Sequence, residues 1–224
     1  MIPMIEAPGD VERRVEDCII KLRHGEIEGL LMEAVRAGIA PDRLMGAMLK
    51  GLGKLQEKYA ERVIGTPELF VGAMIIERGI KALFESGGAE KPKPLGRVVL
   101  GTIGSPHEGG RHLVKIALEA SGFEVHDIGG NRLPRDFIYW AKEVGADIVA
   151  VSCMVVYAIP LLRDLIEALK SEDIRAKTIV GGAVVDPALA RDLGFDAYGR
   201  DMMEGASIAK ALMRASGGER CNGP

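Results

Sequence analysis

Apolar residues follow two different rhythms along this chain. From Val11 to Ser86 they recur at helical spacing, which predicts four helices beginning near Val11, Glu26, Pro41 and Pro67. In the third, Leu44, Met48, Leu52, Leu55 and Tyr59 line one stripe. Pro41 and Pro67 suit a first helical turn, where a missing N–H removes no hydrogen bond, while Gly25, Gly38 and the pair Gly87-Gly88 suit helix ends. A four-helix bundle is expected.

Gly87 to Gly96 has no apolar periodicity and is rich in glycine and proline, so it reads as a connector. It divides the chain into a helical domain over 1–88, a linker over 89–96 and a second domain over 97–224. There the rhythm changes to short β-branched runs separated by helical stretches: Arg97–Ile103, Phe123–Ile128, Asp147–Ser152, Lys177–Gly181 and a weak Asp196–Tyr198. Strands alternating with helices pair in parallel through right-handed crossovers, so the expected fold class is α/β, a flavodoxin-like, doubly wound five-stranded parallel sheet. Such sheets bind ligands beyond the carboxyl ends of their strands. The segments to read are therefore Gly104 to Gly110, Gly129 to Leu133, Cys153 to Ala158, Gly182 to Val185 and Gly199 to Asp201.

Composition narrows the function. The 224 residues carry a formal charge of -3, only 4% aromatics and no Lys/Arg run, which argues against a nucleic-acid partner. No apolar stretch approaches the roughly 20 residues of a membrane helix, and Met1 to Asp10 lack the basic start and apolar run of a signal peptide, so a cytoplasmic protein is expected. Cys18, Cys153 and Cys221 are far apart and outside any Cys-x-x-Cys spacing, which predicts free thiols.

The loop after the first strand, Gly104-Ser105-Pro106-His107-Glu108-Gly109-Gly110, lacks the spacing of a phosphate loop or a dinucleotide fingerprint. It carries a histidine instead. Pro106 favours extended geometry at Ser105, and Gly109 and Gly110 let the chain turn sharply into a helix from Arg111 to Ser121. His107 would project from the ligand edge, as a metal ligand or as a hydrogen-bonding loop residue. His24, His112 and His126 read as structural or solvated, and no carboxylate cluster accompanies any histidine, so a zinc or iron site is not expected.

These residues resemble a known pattern. Cobalamin-binding domains of corrinoid methyl-carrier proteins and of methionine synthase carry Asp-x-His-x-x-Gly, then Ser-x-Leu, then Gly-Gly. This chain has Ser105-Pro106-His107-Glu108-Gly109-Gly110, then Ser152-Cys153-Met154, then Gly181-Gly182, each at a strand end, with Gly101-Thr102 leading and Tyr198-Gly199 trailing. Two elements depart by one residue. Thr66-Pro67-Glu68-Leu69-Phe70 with Ala73-Met74 is similar to the start of the family's last cap helix, so the likeness covers nearly the whole chain.

The resemblance implies a cobalamin cofactor with His107 as the lower axial ligand of cobalt. Gly104, Ser105, Pro106, Glu108, Gly109, Gly110, Ser152, Met154, Val156, Gly181, Gly182, Tyr198 and Gly199 would surround it, the glycines clearing a path for its nucleotide tail. Leu69, Phe70 and Met74 would meet the corrin's upper face, although apolar residues at this spacing also form bundle cores. Ser105 stands where the family places an aspartate behind the ligand histidine, and either Ser105 or Glu108 could replace it. The family carries a methyl group on cobalt from a donor-specific methyltransferase, using methylamines, methanol or methoxylated aromatics, to an acceptor methyltransferase serving a thiol or tetrahydrofolate; a reductive activase supports it. The chain would be the non-catalytic carrier. A cobalamin-dependent sensor is the alternative, and the small subunit of a carbon-skeleton mutase is disfavoured because it lacks a helical cap.

Overall fold

The protein is described by a computed structural model covering residues 8–85 and 92–219. The start of the chain, Gly87-Gly88, the first part of the expected linker and Cys221 lie outside the described residues. The chain divides into two compact units, residues 1–93 and 94–224.

The first unit contains α1 (Pro8–Ile20), α2 (Ile27–Arg36), α3 (Pro41–Ala60) and α4 (Thr66–Phe84). Its core is the stripe expected from the sequence: Leu44, Met48, Leu52 and Leu55 are buried, and only Tyr59, in the last turn of α3, remains partly exposed. At the start of α4 the Glu68 carboxylate accepts from the Gly65 N–H at 3.0 Å, satisfying a donor the helix cannot satisfy itself.

The second unit is a five-stranded parallel sheet in the order β2-β1-β3-β4-β5, with β1 (Arg97–Ile103), β2 (Glu124–Arg132), β3 (Ile148–Ser152), β4 (Lys177–Gly181) and β5 (Ala197–Gly199). Between and after them run α5 (Gly109–Ala120), α6 (Pro134–Val144), α7 (Ile159–Ser171), α8 (Pro187–Leu193) and α9 (Met202–Glu219). One turn of 3₁₀ helix, Val156–Ala158, precedes α7. Val99, Ile103, Val149, Val151 and Val180 pack with Phe137 of α6 and Leu162 and Leu165 of α7. Side chains alternate along a strand, so Val98, Leu100, Ile148 and Ala150 face the opposite layer, where α5 packs with α9.

Most strand boundaries differ from expectation by one residue or none, and two differences are larger. α5 begins at Gly109 rather than Arg111, and β2 continues four residues beyond Ile128 to Arg132. Register shifts between Leu100 and Gly101 and between Gly101 and Ile103 allow this extension, bringing Gly129 opposite Gly101 and Arg132 opposite Ile103.

Candidate functional site at the carboxyl edge of the sheet

The strand register gathers the candidate motifs into one row. Thr102 pairs with Ser152, Ser152 with Gly181, and Gly181 with Gly199. By alternation the row faces the α5–α9 layer.

The His107 loop hangs from the first member of this row. Thr102, fully buried, donates its hydroxyl to the His107 carbonyl at 2.9 Å. Ser105 is also fully buried, with its Oγ 3.2 Å from His107 Nδ1. His107 itself is exposed, as are Pro106, Glu108 and Gly110, while Gly104 and Gly109 are half-buried. Hydrogen bonding at Nδ1 leaves Nε2 as the nitrogen available to a metal. Glu108 turns elsewhere, its carboxylate 3.4 Å from the Arg111 guanidinium. Ser105, not Glu108, therefore stands behind the histidine.

The loop is clasped from β2, a contact that sequence reasoning missed. Gly104 N–H donates to the Arg132 carbonyl at 2.9 Å, and Asn131 N–H donates to the Ser105 carbonyl at 2.6 Å. Asn131 reaches this position at φ 55°. Beneath the clasp Arg111 is buried, its guanidinium against the Asp127 carboxylate, which also accepts from Gly129 N–H at 3.0 Å. Burial pulls the Arg111 guanidinium below its ordinary value, Glu108 opposes this, and the charge of Arg132 adds to it. Arginine nevertheless stays protonated.

On the other side of the row the glycines have a structural cause. A Cβ on Gly181 would lie 2.5 Å from the Gly199 carbonyl oxygen, and one on Gly182, at φ 116°, would lie 2.1 Å from the Cys153 carbonyl oxygen. Close backbone packing thus excludes side chains there by itself. Open space appears instead at Gly205 in α9, where a Cβ would meet nothing within 4 Å. Gly205 is half-buried and shares a helical stripe with the buried Met202 and Ala209, and its Cα comes 3.1 Å from where a Cβ on Gly199 would stand.

Ser152, Met154 and Tyr198 are half-buried, and Val156 is exposed. Cys153 is buried, its thiol pushed up by burial with the Val155 carbonyl opposing. Within the helical unit Leu69 lies in the core, 3% exposed, whereas Phe70 is half-buried and Met74 is 55% exposed. Only the latter two offer surface to a ligand. Among the described residues there is no cluster of three His, Cys, Asp or Glu able to hold a bare metal ion, and no helix long and apolar enough to cross a membrane.

Comparison with known proteins supplies the family. Residues 96–207 match the B12 binding domain, and the chain is 32% identical over 203 residues to dimethylamine corrinoid protein 3 of Methanosarcina acetivorans, covering 89% of this chain and 95% of the relative. The chain belongs to the B12-binding corrinoid proteins. Another relative, dimethylamine corrinoid protein 3 of Methanosarcina mazei, is 37% identical over 152 residues, covering 66% of this chain and 90% of its own. A cobalamin-binding protein from Desulfitobacterium hafniense superposes with a TM-score of 0.75 at 25% identity, covering 90% of this chain and 98% of its own. A chain of the methanol:cobalamin methyltransferase complex from Methanosarcina barkeri shares the fold, with a TM-score of 0.74 at 22% identity over 92% of this chain and 80% of its own.

Cobalamin is the cofactor of this corrinoid protein, and the residues present fit it. An exposed imidazole fixed through one nitrogen suits an axial metal ligand. The gap at Gly205 beside small-residue strand ends suits an inserted tail.

Proposed function

We propose that this corrinoid protein is a cytoplasmic methyl carrier, taking a methyl group from a methylamine-specific methyltransferase and delivering it to an acceptor methyltransferase that serves a thiol or tetrahydrofolate. A reductive activase would restore the reduced cofactor. The observation that carries the reading is His107, exposed at the carboxyl edge with Nδ1 engaged by Ser105 and with no hydrogen bond at Nε2 among the described residues. Cobalamin supplies the chemistry when bound, a cobalt centre able to take up a methyl group and release it to a nucleophile.

The protein's part is orientation. His107 would hold the cobalt through Nε2, with Ser105 fixing the ring and its tautomer and the Thr102 hydroxyl fixing the backbone on which the ring stands. The likeness to named dimethylamine corrinoid proteins favours a carrier over a sensor and a methylamine over the other donors.

Apoprotein mixed with hydroxocobalamin and desalted is expected to keep about one equivalent of red chromophore. His107→Ala should retain the cofactor with a visible spectrum shifted by loss of the nitrogen ligand. With a dimethylamine methyltransferase and dimethylamine, the reduced protein should acquire the methyl-cobalamin spectrum, whereas methanol with a methanol methyltransferase should not produce it. A colourless desalted protein ends the reading, and methylation by the methanol system alone reassigns the donor.

A further inference from the structure

Arg132 has a charge without an answer. Its Nε is buried and has no hydrogen-bond partner among the described residues, and its guanidinium enters no ion pair there. The nearby carboxylate, Asp127, is engaged with Arg111 and the Gly129 N–H. A partly buried guanidinium nitrogen without an acceptor is costly, because water has been removed and nothing replaces it.

The position is also built. The register shifts that extend β2 place Arg132 opposite Ile103, and its carbonyl is tied to Gly104, three residues before His107. Its side chain lies over Gly129, where a Cβ would stand 2.9 Å from one terminal nitrogen of the guanidinium. Gly129 at φ 89° therefore makes room for the guanidinium as well as for the turn.

We infer that Arg132 is a corrinoid-binding residue that donates hydrogen bonds to an amide carbonyl on the periphery of the corrin ring. This rests on the assignment of cobalamin to the His107 edge. The corrin rim carries acetamide and propionamide groups whose carbonyl oxygens are acceptors of the kind that Arg132 lacks. The other acceptor on the cofactor is the phosphodiester of the nucleotide tail. β2 and β5 stand at opposite edges of the sheet, about 19 Å apart at ordinary strand spacing, so a tail entering beside Gly199 and Gly205 runs away from Arg132.

The test measures binding of cobalamin and of cobinamide, which keeps the corrin amides and lacks the nucleotide. Arg132→Met should weaken both by about tenfold, the usual worth of a hydrogen bond to a charged group. Thermal unfolding of the Arg132→Met apoprotein should match or exceed the wild-type midpoint, since an uncompensated charge is removed. Arg132→Lys, which keeps the charge and loses the Nε–H, should give intermediate weakening for both ligands and supplies a second reading should the methionine variant misfold. Unchanged affinity for both ligands overturns the assignment, and weakening confined to cobalamin overturns it in favour of the phosphate. A wild-type protein that binds neither corrinoid defeats the cofactor assignment itself, a result distinct from either.

Discussion

The two flanks of the His107 loop solve the same problem by different means. On the β2 side, charged side chains fill the space: Arg111 and Asp127 pair under the loop, Arg132 lies over Gly129, and two backbone hydrogen bonds tie the strands' extensions together. On the β4–β5 side no side chain intervenes, and Gly181, Gly182 and Gly199 bring backbone against backbone. One flank can recognise a ligand through donors, the other only through shape. A corrinoid has both kinds of feature, a ring edged with polar amides and a long tail, and the division of labour matches it.

The comparison breaks most visibly at Gly182. If the shape-defining flank is set by backbone contact, the cost arises at the first carbon of any side chain, so Gly182→Ala should be nearly as damaging as Gly182→Leu. A Cβ 2.1 Å from the Cys153 carbonyl at a φ that L-residues avoid should cost about 4 kcal/mol or more, a large part of a domain's stability. Soluble, cooperatively folded protein should be largely lost for both variants, with Lys170→Ala as an unaffected surface control. A stable Gly182→Ala protein with wild-type unfolding would show that the glycine serves tail passage alone. Gly205→Leu is the cleaner probe of the tail, because it fills open space: it should fold and should weaken cobalamin while sparing cobinamide.

The charged flank is tested at Asp127. Asp127→Asn leaves the buried Arg111 guanidinium, 5% exposed, without its carboxylate partner, and only the exposed Glu108 remains near it. Removing the carboxylate from this part-buried pair should cost about 1.5 kcal/mol, the worth of a hydrogen bond to a charged group, which should lower the unfolding midpoint by about 5 °C for a unit of this size. A midpoint within one or two degrees of wild type would mean that the pair is solvated in solution and that the two flanks differ less than described.

Much of this was legible in the sequence, for reasons that mark where legibility stops. β1 and β4 have the expected ends because their apolar runs meet glycine or a polar loop at both boundaries. His107, Ser152 and Gly181-Gly182 could be placed at one edge because parallel strands align their carboxyl ends. β2 could not be followed past Ile128, since Gly129-Gly130-Asn131 reads as a turn and only the bulged pairing with β1 makes it strand. Asp127 lies inside the expected strand and Arg132 inside an expected ligand-edge segment, yet neither stood out as a site residue, because their roles depend on contacts made only in the fold, Asp127 with Arg111 and Arg132 with Gly104. Within the helical unit the 3.6-residue rhythm gave the buried stripe, but could not separate Leu69, in the core, from Phe70 and Met74, which face outward.

The smallest expected effect lies between the two flanks, at Ser105. Its Oγ is the hydrogen-bond partner of His107 Nδ1, and being neutral it adds less to the basicity of the imidazole than a carboxylate would. The backbone is held independently, by Asn131 at the Ser105 carbonyl, so Ser105→Asp changes the partner of the ring while leaving the loop tied. A carboxylate there should strengthen the bond from His107 to cobalt in the Co(II) state. An imidazole nitrogen would bind the electron-rich Co(I) less strongly than Co(II), so the change would stabilise chiefly the oxidised member of the couple. If the charged hydrogen bond contributes about 1.4 kcal/mol more than the neutral one, the Co(II)/Co(I) midpoint should move by about 60 mV to more negative potential. Ser105→Ala should move it the other way by a smaller amount, and His107→Ala should make the aspartate substitution silent. Spectroelectrochemical titration of wild type, the three single variants and the Ser105→Asp/His107→Ala double variant separates these cases. An unchanged midpoint in Ser105→Asp, or one that moves equally with and without His107, would show that the serine holds the loop and does not tune the metal through the histidine.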